Sequence, residues 1–539
     1  MEEEKKQMSP SIRPDNSSNK SEERPYTIVD HWKCLAACTL MSLCLFQTGL
    51  DSGLIGGFPA MVGFLKVFGY PDPKVPAGWN ISSVREHLIS SLVNLGAFFG
   101  ALSTGPLANI ISRRTGVWIA SALCIISNII MMSTTSIAAL YVGRLVLGFS
   151  NGMFTTFPQL YINESTPARY RGLSISTFQA WISIGTLVGT IVDNSTAKID
   201  GRNTYLIPLG LIYILPVLIS LGLLLIPESP RWLAQQGKLD EARKSLRWHR
   251  PGTDTEVDRE IRDIVAALGT EGARQKTVVP LDLFRNPVDR RRTMVGATVP
   301  GLQGASGAVY IIAYGTYFFQ MADIGDTFQN SCILTTVGIV AILINGAVVI
   351  KFGRRRVFLM AGMLLCGLIH LLMAVVYTAK PSANSASEAV AALAVIYIFF
   401  YNSMVTTYAW ISVGEIPSQR LRSYTMGLAT AMGNFFMWLE SFTAPYFMDS
   451  ESLNWGPKYS YIWAAACCIA CAWVFNDLPE VKNRTLEEID EMFEAGLPTR
   501  KFRRYVCVGR RGEPTSDAPG STSTDSEATE IQHQEASKV

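Results

Sequence analysis

Histidine is scarce in this chain, with five in 539 residues. His31, His87, His249, His370 and His533 are scattered without ligand spacing, which excludes an imidazole-built metal centre. No glycine-rich phosphate loop is present either, so an enzyme reading has nothing to rest on and no cofactor is expected. Charge is sparse: 17% of residues are charged against 48% hydrophobic, and the mean hydropathy is +0.21. That excludes a soluble chain of this length. The net charge of +3 implies no nucleic-acid partner, because a membrane protein sorts its charges by side and the total hides the sorting. Ten cysteines occur without the paired spacing of a zinc site or a secreted disulfide framework. Cys34, Cys38, Cys44, Cys124, Cys332, Cys366, Cys467, Cys468 and Cys471 lie in or beside apolar stretches and read as packing residues. Cys507 alone falls in the polar tail.

What the chain does have is a set of charged signatures that occurs twice between long apolar segments. The first copy reads Ser112-Arg113-Arg114, then Glu164-Ser-Thr-Pro167 with Arg171-Gly172, then Pro227-Glu228-Ser229-Pro230-Arg231. The second reads Gly353-Arg354-Arg355, then Glu415-Ile-Pro417 with Arg422, then Pro479-Glu480. Glu164 and Glu415 are 251 residues apart, and Glu228 and Glu480 are 252 apart. Chance clusters would not keep that register. Repeated helical halves are characteristic of secondary transporters.

A membrane-spanning helix needs roughly 20 mostly apolar residues. Six such segments fall near 34–57, 88–111, 116–136, 139–162, 173–193 and 204–226, and six more near 294–319, 331–351, 356–378, 388–413, 424–447 and 459–477. Around them the expected organisation is a disordered N-terminal tail at 1–30, a first half at 31–226 and a linker with short surface helices at 227–292. A second half at 293–478, a C-terminal helical region at 479–510 and a disordered tail at 511–539 follow. No cleavable signal peptide is expected. Basic residues fall on alternate connections, which places those loops and both termini in the cytosol. Asn80-Ile-Ser82 and Asn194-Ser-Thr196 are glycosylation sequons on what should be outer loops.

Three stretches carry a family resemblance. They are Gly143-Arg144 with Gly148 and Gly152, Pro227-Glu-Ser-Pro-Arg-Trp-Leu233, and Pro479-Glu-Val-Lys-Asn-Arg-Thr-Leu-Glu-Glu-Ile-Asp490. In them, and over about Phe46 to Phe493, the chain resembles the sugar porter family of the major facilitator superfamily. Gly53-Leu-Ile-Gly-Gly57 and Tyr314-Gly-Thr-Tyr-Phe318 are similar to fungal sugar and polyol porters. The resemblance implies an all-α membrane protein of twelve transmembrane helices in two pseudo-symmetric halves. It also implies a sugar or polyol and a proton as small-molecule partners, at the plasma membrane and surrounded by lipid. Export of a metabolite and non-transporting sugar sensing are the alternatives. Nothing in the sequence speaks to oligomeric state.

Asp51 lies inside the first apolar segment, where a charged side chain costs roughly 2.5–3.5 kcal/mol and persists mainly if it faces the bundle interior and finds a partner. The family pattern places Arg144 beside it. An Asp–Arg pair made and broken in a dry cavity can bind and release a proton; a purely structural lock is the other reading. By family spacing, Gln179, Gln303, Trp410 and Tyr314 are candidate substrate contacts, with Asn434 one position beyond the family's asparagine slot. Each could instead serve only packing between helices. Gly304 and Val309 stand where the family carries further polar groups, and Asn109 and Ile350 stand where its loop motif carries carboxylates. Arg113, Glu164, Arg171, Glu228, Arg231, Arg354, Glu415, Arg422 and Glu480 remain as a cytosolic gate, expected to form ion pairs between the halves.

Overall fold

The computed structural model describes residues 29–507 apart from 59–60, 72–77, 198, 200, 273–278, 313–317, 319–326, 353, 381–383, 419, 449–452, 454, 483, 485 and 506. Residues 1–28 of the expected N-terminal tail (1–30) and the whole expected C-terminal tail, 511–539, lie outside the described residues.

Nine spans satisfy length and apolarity among the described residues, and three more long helices complete a bundle of twelve. The first six are α1 (Trp32–Gly57), α2 (Ser83–Ile110), α3 (Arg113–Ser133), α4 (Ile137–Ser165), α5 (Ala168–Thr196) and α6, which joins Asn203–Leu211 to Ile214–Gly222. The second six are α7 (Pro287–Ala305), α8 (Thr327–Phe352), α9 (Arg355–Ala379), α10 (Asn384–Glu415, with a π turn at Tyr401–Thr406), α11 (Arg422–Met448) and α12 (Ser460–Asp477). Eleven of the expected segments are found to within several residues; the seventh, expected at 294–319, is instead helical over Pro287–Ala305 and again over 308–312, because the chain turns at Gly307, and 313–317 lies outside the described residues. The helices α7 and α11 are the less apolar ones because they carry Gln303, Thr430, Asn434 and Glu440 among glycines and prolines.

In the first half, glycines set the helix distances. A side chain on Gly96 or Gly100 of α2, or on Gly148 or Gly152 of α4, would press into a carbonyl oxygen of the facing helix. The same holds for Gly49 and Gly53 of α1 against Gly185 and Gly189 of α5. Their four-residue spacing keeps the glycines on one face, so backbones approach closely without a hydrophobic driving force. Between the halves, α2 runs along α11 and α5 along α8. Asn94 on α2 donates to Ser441 on α11 at 3.2 Å, and Phe98 packs on Phe435.

The linker forms helices at Pro230–Gln235, Leu239–His249 and Asp254–Gly272. They dock on the charged end of the bundle: Arg250 donates to the Ser165 carbonyl at 2.7 Å and pairs with Glu260 at 3.0 Å. His249 is buried there, with one ring nitrogen 3.0 Å from the Tyr161 hydroxyl and the other 2.8 Å from the Ser245 carbonyl. After α12, a helix at Leu486–Glu494 and a 3-10 turn at Thr499–Arg504 pack under α7. There Arg291 donates to the Leu497 carbonyl at 2.8 Å and Arg292 pairs with Asp490. Cys507 corrects its sequence assignment, being buried beside Arg484 at 3.7 Å instead of lying in a polar tail.

Asn194 departs from expectation. It is half-buried in the last turn of α5 instead of on an open loop, because the helix continues through Thr196. Asn80 ends a two-residue strand, Trp79–Asn80, paired with Tyr70–Pro71.

Two outcomes test these contacts. Gly148→Val should lower the detergent melting temperature, since overpacking costs about 1–3 kcal/mol, whereas Gly210→Val, with open space around it, should leave it unchanged. Burial pushes the His249 imidazole down to about 4, so it is neutral when docked. Docking stability is then complete above pH about 6.5 and falls as pH drops from there to about 4, by roughly 3 kcal/mol. Limited proteolysis of the linker across that range should accelerate in the wild type and change little in His249→Gln.

Candidate functional site

Asp51 lies on α1 one turn beyond Gln47 and is 1% exposed; Arg144, near the start of α4, is 3% exposed. Arg144 donates from Nη1 to Asp51 Oδ1 at 3.1 Å and from Nε to the Ile89 carbonyl on α2 at 3.0 Å. Asn151, two turns further along α4, donates to Asp51 Oδ2 at 3.2 Å. The pair expected from the sequence therefore forms, and Asn151 completes it. That residue went unnoticed because only the winding of α4 brings it to the same face as Arg144.

At the charged end each half builds the same device. In the first, Ser112 caps α3, and Arg113, the helix's first residue, donates to Glu164 Oε1 at 2.7 Å. Ser229 donates to the other oxygen of Glu164 at 2.5 Å. Glu228 accepts the Arg114 backbone N–H at 3.2 Å. In the second, Arg355 at the start of α9 grips Glu415 with Nε at 3.0 Å and Nη2 at 2.7 Å. Glu480 accepts the Arg355 and Arg356 backbone N–H groups, both at 3.2 Å. A carboxylate at a helix N-terminus satisfies free N–H groups and complements the helix dipole.

Two expectations are corrected here. Glu164 and Glu415 pair inside their own halves, not across them, because each lies at the end of a helix that packs beside its own half's arginine-bearing helix. Arg354 is exposed at the cap position of α9, and Arg355 takes the role assigned to it, since the first helical residue is the one whose side chain turns back into the bundle. Arg231 is half-buried on its short helix, Arg422 is buried at the start of α11, and the side chain of Arg171 lies outside the described residues.

The halves do meet at this end, through neutral groups. Gln159 on α4 donates to the Trp410 carbonyl on α10 at 3.4 Å. One turn on, the Asn163 amide lies 4.0 Å from the Met426 sulfur on α11 and packs against Gly414. The charged end is therefore closed. Neither amide was singled out in the sequence, where polar residues inside a long apolar helix carry no spacing signal.

A family profile described as "Sugar (and other) transporter" matches residues 37–493. The chain belongs to this transporter family. It is 28% identical to the hexose transporter HXT10 of Saccharomyces cerevisiae over 92% of both chains. It is 31% identical to the probable glucose transporter rco-3 of Neurospora crassa, over 83% of this chain and 77% of that one. In fold it is similar to a structure of the proton:xylose symporter XylE bound to 6-bromo-6-deoxy-D-glucose, with a TM-score of 0.74, 20% identity, and coverage of 87% and 100%. Members of such a family carry solutes and are not enzymes.

Within this transporter the candidate substrate contacts separate. Gln303 is 2% exposed on α7, and its Nε2 has no partner among the described residues; the same is true of both amide atoms of Gln47. Trp410 is half-buried on α10 and Gln179 half-buried on α5. Asn434 donates to the Thr430 carbonyl of its own helix at 2.9 Å. Tyr314 lies outside the described residues. The glycine at 304 has a physical reason: a Cβ there would meet the Cβ of Phe436 on α11 at 2.6 Å, with that residue's backbone just behind, so the close approach of α11 leaves no room for a side chain.

Removing one partner of a buried pair costs about 3–5 kcal/mol because the other charge is left unmatched. Glu415→Gln should therefore lower the melting temperature markedly, and Arg354→Gln, altering an exposed side chain, should barely move it. Equal effects would contradict the assignment of Arg355 as the partner.

Proposed function

We propose that this protein is a proton-coupled secondary transporter that imports a sugar or related polyol across the plasma membrane by alternating access. The buried Asp51–Arg144 pair carries the reading. It places an ionisable carboxyl inside the first span, held by a cation and by Asn151. Such groups in spans mark ion and proton pathways. When α1 and α4 shift apart, Asp51 loses the charge that keeps it ionised and takes up a proton; when they close again, the proton leaves.

Gln303, Gln179, Trp410, Tyr314 and Asn434 form the substrate site in this reading, with amides for hydroxyls and an aromatic surface for the apolar ring face. The names of the similar hexose and glucose transporters support a sugar. The arginine-bearing end faces the cytosol in this reading, together with both termini, and the contacts of Gln159 and Asn163 between the halves at that end support a state closed to the cytosol. Glycine at 304, in place of a second amide, makes the lining less polar, which favours a substrate with fewer hydroxyl contacts on that side.

The test is uptake of labelled hexoses, pentoses, disaccharides and polyols in transporter-deficient cells, comparing wild type with Asp51→Asn. Wild type should accumulate its substrate with entry of protons, and the mutant should at most equilibrate it. Accumulation unchanged in the mutant would remove Asp51 from the coupling; absence of uptake across the panel, with the protein at the surface, would favour export or sensing.

A further inference from the structure

The helix α7 does not run unbroken. It ends at Ala305, passes through Gly307 with φ +75°, and resumes as helix over 308–312. A break of this kind leaves carbonyls on one side and N–H groups on the other without helical partners. The carbonyl side is held by α9 and α10: the Ser306 oxygen lies 2.9 Å from His370 Nε2 and accepts the Tyr397 hydroxyl at 2.7 Å. The N–H side is held by α11, where Glu440 accepts the Tyr310 N–H at 2.8 Å.

Glu440 is 2% exposed, and its Oε2 has no hydrogen-bond partner among the described residues. Around it stand Tyr310 of α7, Tyr401 of α10, Tyr459 of the turn before α12 and Cys467 of α12. His370 of α9 stacks on Tyr310 with ring centroids 6.2 Å apart, and α2 presents the neutral Asn94 one residue along at Ser441. Of these groups only His370 can carry a positive charge, and it faces the Ser306 carbonyl. Asp51 meets the cost of a carboxylate in a span with Arg144; Glu440 has no cation of that kind among the described residues.

We propose that Glu440 is a second proton-binding site of this transporter, taking a proton from water onto Oε2 as the α7 break moves and returning it when the bond to Tyr310 re-forms. The proposal rests on the proton-coupled reading. The carboxyl faces the backbone N–H groups of Val309 and Tyr310 in the resumed segment, with Oε1 accepting from Tyr310 and Oε2 making no hydrogen bond among the described residues, so movement at the break changes what the carboxyl is bonded to. An ionised carboxylate binds an N–H more strongly than a neutral acid or an amide does. The unprotonated residue therefore holds the break as it is seen here, and protonation releases it.

The experiment is exchange of labelled D-glucose in proteoliposomes as a function of pH, with the purified full-length protein. Wild-type exchange should slow several-fold as pH rises; Glu440→Gln should lose that slope while retaining KM, and Glu440→Asp should restore it. The same slope in Glu440→Gln would overturn the proposal and leave a structural cap. Should the glutamine variant not fold, or D-glucose not be carried, wild-type protein treated with a hydrophobic carbodiimide decides the matter by peptide mass. An adduct on Glu440 that fades as pH rises supports the site, and no adduct at any pH overturns it. Wild type that exchanges sugar without proton movement would defeat the coupling reading, whereas coupled wild type with an unchanged Glu440→Gln slope would defeat this site alone.

Discussion

Each half neutralises its own charges before it meets the other. Arg113 with Glu164 and Arg355 with Glu415 are buried at matching positions, and Glu228 and Glu480 close the start of the neighbouring helix with the same backbone bonds. A half built this way behaves as one body, because separating a buried pair within it leaves an unmatched charge and costs several kcal/mol. Among the described residues, hydrogen bonds between halves at this end include those of Gln159 to a carbonyl and Asn163 to a methionine sulfur. Neutral contacts of that kind exchange for water at modest cost. The hierarchy of strength, strong within and weak between, is what rigid-body alternation of two halves requires.

The two halves then differ in how they treat the helices that face the pathway. The first half is held tight by glycines, with α1 on α5 and α2 on α4 at backbone contact, and its buried Asp51 is neutralised by Arg144. The second half carries irregular backbone instead. Its α7 is broken at Gly307, its α10 contains a π turn, and its buried Glu440 is bonded to backbone instead of to a cation. Irregular backbone inside a membrane protein is tolerated where other helices satisfy the freed groups, and His370, Tyr397 and Glu440 supply those partners here.

The substrate candidates show how far a spacing pattern reaches. Gln303 lies where family spacing puts it and keeps an unpartnered donor, whereas Asn434 spends its donor on its own helix. Gly304 was legible as a missing amide; that Phe436 occupies the space was not, since the contact joins positions 132 residues apart.

The sequence by itself determined the number and order of the helices and the two-fold repeat, and its family motifs implied the Asp51–Arg144 pair. The first two follow from runs of apolar residues and from charges at fixed spacing, both local or periodic along the chain. Tertiary structure decided which charges meet. The register of α9 selected Arg355 over Arg354, the packing of each half turned expected cross-half ion pairs into internal ones, and the folding of residues after α12 buried Cys507. Asn151, Gln159, Asn163 and Glu440 became visible only in three dimensions. The reason is geometric: a polar residue in an apolar helix has a meaning only through the face it shares and the helix it meets, and neither is written in its neighbours along the chain.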